Sequence, residues 1–191
     1  MKLSEKQTNS HANRQGPEMV LTPVGAITNT TKEPFLKAEE SGLKMRGKLD
    51  DVAKVVHEAQ HGLSEITIND ELGDILDGID DYSHLVVLYW GHKVPGSGRS
   101  LKKIHPMGRE DVPLMGIFST CSPARPNPIL MTVVKVCERK GNTLIVSGLD
   151  AIDGSPVLDI KPYVKSFYPQ KEIMIADWMQ QLLEEMAEDE S

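Results

Sequence analysis

Cysteine is nearly absent from this chain. Only Cys121 and Cys137 occur in 191 residues. Two thiols predict a reducing compartment and no disulfide framework. No apolar run nears the roughly 20 residues that span a bilayer as a helix. The stretch from Met1 to Glu18 is polar and has no apolar core of the kind a secretory signal requires. These features predict a cytoplasmic protein with no membrane partner. Basic charge is in deficit, with a formal net charge of −7. That balance argues against a broad, charge-driven nucleic-acid footprint. No Gly-x-Gly-x-x-Gly follows a strand pattern, so a Rossmann dinucleotide or methyltransferase core is excluded. No internal repeat is visible.

What remains is a chain of short strand patterns. Val20 to Thr28, Ser64 to Ile68 and Leu85 to Trp90 read as strands, the last a continuous apolar run of buried type. Ile129 to Val136 and Thr143 to Val146 flank Gly141-Asn142 and read as a hairpin, and Val157 to Tyr163 is a final strand. Helical pattern is limited. Val52, Val55, Val56 and Ala59 predict a helix over 50–61, and Asp70 to Leu76 one or two turns. Ile175, Trp178, Met179, Leu182 and Met186 predict an amphipathic C-terminal helix. The expected architecture is all-β: a single barrel-like β domain with a few short helices. It divides into a disordered leader over 1–18, the domain over 19–170, and the helix with an acidic tail over 171–191.

Two clusters of polar residues carry candidate chemistry. His57-Glu-Ala-Gln-His61 has the HExxH form of zinc proteases. On a helix whose apolar face centres near Val52 and Ala59, both histidines point to water, and Ser64 and Thr67 occupy the downstream ligand positions. No metal site is expected. Lys93, Arg99, Lys102, Lys103 and Arg109 occur in one stretch without an acidic residue before Glu110. They read either as a local nucleic-acid-binding patch on an acidic protein or as a solvated loop.

The stretch from Gly116 to Met131 organises the chain. Pro123, Pro126 and Pro128 each fix φ and remove a donor, and Ser122, Arg125 and Asn127 precede them as extended residues. A stiff loop between strands presents fixed polar groups. Alternatively, those groups satisfy one another.

Cys121-Ser-Pro-Ala-Arg-Pro-Asn-Pro-Ile129 resembles the signature loop of the TrmO (TsaA-like, YaeB-like) family. Two further blocks match in order: Gly78 to His92, and Gly148 to Tyr163. The resemblance implies a homodimeric β-barrel methyltransferase using S-adenosylmethionine to methylate N6 of a hypermodified adenosine beside the tRNA anticodon. It implies cofactor contacts at His92, Lys93, Cys121, Met131, Asp150, Ala151, Ile152 and Asp153, with Ser122, Arg125 and Asn127 of the rigid loop as further candidates. A family Gln-Pro-Gly aligns with Glu40-Ser41-Gly42.

This chain departs from the family pattern where Cys121 replaces an arginine and Leu130 a glycine. Losing arginine removes a fixed charge and a multidentate donor. The departures leave open a small-molecule or corrinoid-type acceptor, or a cofactor- or metal-binding protein without turnover. The general base is unassigned among Asp150, Asp153 and Asp159.

Overall fold

Strand residues that alternate between a buried and a wet face close into a barrel. The computed structural model describes residues 19–39, 42–45 and 62–188. The strands are β1 (Gly25–Thr28), β2 (Leu36–Glu39), β3 (Gly42–Met45), β4 (Leu63–Ile68), β5 (His84–Trp90), β6 (Lys103–Ile104), β7 (Met115–Gly116), β8 (Ile129–Lys140), β9 (Thr143–Ser147) and β10 (Pro156–Pro162). Six of them form a closed barrel in the order β1-β10-β5-β8-β9-β4, with β4 returning to β1. All its neighbours are antiparallel. Closure removes the exposed edges that an open sheet must protect.

The period-2 pattern explains the core. In β4, Ser64, Ile66 and Ile68 face in while Leu63, Glu65 and Thr67 face out. Ile27, Ile66, Leu85, Val87, Val134, Leu144, Val146 and Val157 fill the interior, each almost wholly removed from water. Full burial of such a side chain is worth about 1.5–3 kcal/mol. Gly141, at φ +61°, supplies the positive dihedral of the two-residue turn between β8 and β9. Gly25 is required by contact: a Cβ there would lie 2.3 Å from the Thr67 carbonyl oxygen.

Helices are few, as expected. α1 (Gly96–Arg99) is one turn, and α2 (Asp177–Glu188) is the C-terminal helix. α2 buries Leu182, and Glu185 forms an ion pair with Arg109, which also binds Asp111. Both carboxyls are held below the usual carboxylate range by the Arg109 guanidinium.

Three local expectations change. The first strand is shorter than 20–28: ladder pairing with β4 and β10 covers 25–28, and Val24 adds one backbone hydrogen bond to Val157 of β10 and one from Asn69 just past β4. Gly116-Ile-Phe-Ser119, which by pattern enters the proline loop like a strand, turns instead into a 3-10 helix over Ile117–Ser119. The polar segment before residue 46 holds an unforeseen hairpin, β2–β3, which leans on the 106–108 turn. The leader over 1–18 and the helix over 50–61, with His57 and His61, lie outside the described residues.

Leu144→Ala is expected to lower stability by about 2–5 kcal/mol in urea unfolding. Leu63→Ala, at an outward position 62% exposed, is expected to stay within about 0.5 kcal/mol of the parent. Equal losses at the two sites would contradict the inward and outward assignment.

Candidate functional site at the barrel mouth

Antiparallel order places the ends of β1, β5 and β9 and the starts of β4, β8 and β10 at one end of the barrel. The loop over 148–155, between β9 and β10, crosses that end. Leu149 and Ala151 plug it from above. Asn29, just beyond β1, ties it down. Its Nδ2 donates to the Ala151 carbonyl at 2.9 Å and to Ser64 Oγ at 3.3 Å, and its backbone N–H donates to Asp153 Oδ1 at 3.0 Å. The Asp153 N–H donates to the Thr31 carbonyl at 2.8 Å. Gly154, at φ +77°, lets the chain turn before Ser155.

Two groups of side chains result. In the first, Lys32 Nζ pairs with Asp153 Oδ2 at 2.8 Å, and Lys93 Nζ pairs with Glu33 Oε1 at 2.9 Å while donating to the Lys32 carbonyl. His92 Nδ1 lies 3.3 Å from Ser155 Oγ. Hydrogen bonds from Lys32 and Asn29 hold the Asp153 carboxyl below the usual range. Partial burial, then the Lys93 charge, push the His92 pKa down, so its imidazole is neutral at pH 7.

The second group centres on Asp150. Its backbone carbonyl accepts a hydrogen bond from the Tyr89 hydroxyl, which also lies 3.2 Å from Thr132 Oγ1. The Asp150 carboxylate has no hydrogen-bond or ion-pair partner among the described residues. Protein crowds it at the mouth, and desolvation raises its pKa. Much of the residue still reaches solvent, which limits the size of that effect. Burial, then the Asp150 charge, push the Tyr89 phenol well above its ordinary value.

The proline-rich loop is braced from within. Arg125 Nε donates to the Ser122 carbonyl at 2.8 Å and Nη2 to the Thr120 carbonyl at 2.7 Å. Ser122 is buried, with its Oγ accepting from the Ala124 N–H at 3.2 Å. The Gly91 N–H donates to the Pro128 carbonyl at 2.8 Å, which docks the loop beside His92. Cys121 and Asn127 are exposed, and Met131 is 62% exposed on the outer face of β8.

Residues 51–168 match the family model for the tRNA-methyltransferase O N-terminal domain. This chain belongs to that family. It is 38% identical over 145 residues to the S-adenosyl-L-methionine-binding protein of Archaeoglobus fulgidus, covering 76% of this chain and 89% of that one. It is 41% identical over 92 residues to the mouse tRNA (adenine(37)-N6)-methyltransferase, covering 48% of this chain but 21% of that protein. The crystal structure of TrmO from P. aeruginosa shares the fold, with a TM-score of 0.58 at 24% identity over 84% of this chain. The chain spans 61% of the length of that solved TrmO chain.

The positions expected from the TrmO pattern are thus distributed unevenly. His92, Lys93 and Asp150 to Asp153 come together around one loop. Arg125 and Ser122 are turned inward to brace the proline loop. Gly42 belongs to the β2–β3 hairpin, and Glu40 and Ser41 lie outside the described residues. In the basic stretch, Lys93 and Arg109 are ion-paired and Arg99 stacks 5.3 Å over the Trp90 ring. Lys102 and Lys103 are exposed without an ion-pair partner among the described residues. Asn29, Lys32, Tyr89 and Ser155 were not singled out from sequence. Asn29 reaches across 124 positions to Asp153, a link no local pattern carries.

A carboxyl whose pKa rises on folding holds its proton more tightly in the folded chain. Folded stability therefore falls as pH rises through the ordinary carboxylate range toward the raised folded value. Asp150→Asn is expected to raise Tm relative to the parent at pH 7 and to converge with it at strongly acidic pH. Thermal unfolding across pH measures this; a lower Tm for the variant at pH 7 contradicts the desolvated carboxylate. Arg125→Ala is expected to leave the barrel folded but to speed amide exchange over 120–128.

Proposed function

We propose that this chain binds S-adenosylmethionine at the barrel mouth and methylates N6 of an adenosine next to the anticodon in tRNA. Asp150 carries the reading: a carboxylate without a partner among the described residues, on the loop that closes the barrel end beside Tyr89 and Thr132. The names of the archaeal and mouse relatives support cofactor and acceptor respectively.

The residues present fit such a cofactor. Its sulfonium and ammonium charges suit a mouth with carboxylates, and its adenine and ribose suit the exposed backbone of a braced loop. Asp153 and Ser155, with neutral His92, form the polar side, while Cys121 and the backbone of the proline loop form the other. Arginine is not needed at Cys121 to stiffen the loop, because Arg125 already does so. When bound, the cofactor supplies an electrophilic methyl group on sulfur.

Of the three carboxylates that sequence left unranked, Asp150 is the proton acceptor in this reading. Asp153 is engaged by Lys32 and Asn29, and Asp159 by Lys161 and the Ile160 N–H. An exocyclic amino nitrogen is weakly nucleophilic, so removal of its proton as the N–C bond forms assists the attack. Asp150 Oδ takes that proton. Its raised pKa favours accepting it. Rigid packing of the loop positions the reactants and limits water.

Lys102 and Lys103 contact tRNA phosphates, and only these two of the five basic candidates remain free to do so. The outer face of β8 shows Ile129, Met131 and Val133 at 38%, 62% and 40% exposure, an apolar strip that suits a homodimer. Among the described residues no helix is long and apolar enough to cross a membrane. A cytoplasmic location accords with the tRNA substrate. The scarcity of free cations also favours a second reading, a small acceptor at the same site.

Calorimetric titration with S-adenosylmethionine is expected to show about one site per chain, retained in Asp150→Asn. Methyl transfer to tRNA lacking the modification is expected to fall by about 10²- to 10⁴-fold in that variant. Lys102→Glu with Lys103→Glu is expected to weaken tRNA binding and flatten its salt dependence. Cofactor binding without methylation of any tRNA would replace tRNA by the small acceptor.

A further inference from the structure

Phe118 is 81% exposed, on a tight turn whose backbone is fixed on both sides. Ile117, before it, is buried and donates its N–H to the Lys102 carbonyl at 3.0 Å. Thr120, after it, returns both its N–H and its hydroxyl to the Ile117 carbonyl, at 3.2 and 2.9 Å. The turn therefore holds an aromatic ring out in water with no ring partner among the described residues. Such exposure contributes nothing to the core. The strand register sets Lys103 opposite Gly116, so the two unpaired lysines flank the same turn.

The combination is selective. In a chain of net charge −7, most cations of this stretch are neutralised or stacked, yet Lys102 and Lys103 beside the bare ring are not. A rigid π-face with adjacent positive charge matches a single-stranded nucleic acid, in which an unpaired base stacks and its phosphates meet the lysines. We infer that Phe118 is the stacking platform for an unpaired RNA base, with Lys102 and Lys103 holding the flanking phosphates. This deepens the tRNA reading and rests on it: the same loop series that leads into the barrel mouth grips the strand outside the reacting nucleotide. An apolar partner surface, such as a second copy of the chain, has no use for two free lysines at its centre.

The test uses the full chain and a synthetic RNA hairpin with 2-aminopurine in its unpaired loop. The wild type is expected to change the probe's fluorescence on binding. Phe118→Ala is expected to abolish that change and weaken binding roughly 5- to 150-fold. Phe118→Trp is expected to retain both, and the salt slope of Phe118→Ala is expected to match the wild type. Lys102→Ala with Lys103→Ala is expected to keep the fluorescence change at low salt and reduce the slope by about 1.4, near 0.7 for each single-strand phosphate contact. Unchanged affinity in Phe118→Ala overturns the platform while leaving the tRNA reading standing. So does a loss that tracks dissociation of an oligomer in sedimentation velocity. No binding of the hairpin or of tRNA by the wild type, with S-adenosylmethionine still bound, overturns the tRNA reading and the platform with it.

Discussion

The hydrogen bonds that pin the 148–155 loop across the barrel end are the constraint on which the site depends. Asn29 spends its side-chain amide on the Ala151 carbonyl and its backbone N–H on Asp153. Asp153 is thereby held in place, with Lys32 completing its pairing. Leu149 and Ala151 then sit as a plug, and the chain direction that buries them leaves the Asp150 carboxylate at the rim without a partner among the described residues. The alternation along this loop divides labour: buried apolar residues fix it, one carboxylate holds it, and the other stays available. Loss of the Asn29 contacts would release all three at once.

Stiffness in the neighbouring proline loop has a similar origin. Prolines restrict φ, but they do not choose the loop's path. Arg125 chooses it by placing two donors on the Thr120 and Ser122 carbonyls, and the Gly91–Pro128 hydrogen bond fixes its exit next to His92. This makes the cysteine at position 121 tolerable in physical terms. The position is exposed, and the loop's internal bonds do not pass through its side chain. An arginine there, as in the TrmO pattern that this sequence resembles, would add a charge and a multidentate donor to a loop whose path Arg125 already sets.

The barrel was legible from the sequence because its signal is local. Alternation in 64–68, the continuous run at 85–90, and the Gly141-Asn142 turn each correspond to a strand or hairpin of the structure. The β2–β3 hairpin was not, since Leu36-Lys-Ala-Glu39 and Gly42-Leu-Lys-Met45 are too short and too polar to show a period. The site was half legible. Motif resemblance pointed to His92 and the Asp150 to Asp153 segment, which the structure brings to one barrel end, whereas Asn29, Lys32 and Tyr89 join them through contacts between distant segments. Charge counting could not show pairing: of five basic residues in one stretch, Lys93, Arg109 and Arg99 meet Glu33, Glu185, Asp111 and Trp90, which leaves Lys102 and Lys103 without an ion-pair partner among the described residues.

The most direct test of the barrel-mouth site is photocrosslinking of S-adenosylmethionine to the full chain, followed by peptide mapping. Label is expected on peptides carrying residues 91–93 and 148–155, suppressed by excess unlabelled cofactor. Competable label confined to the β2–β3 hairpin or the C-terminal helix, or no competable label on a folded chain, would contradict it.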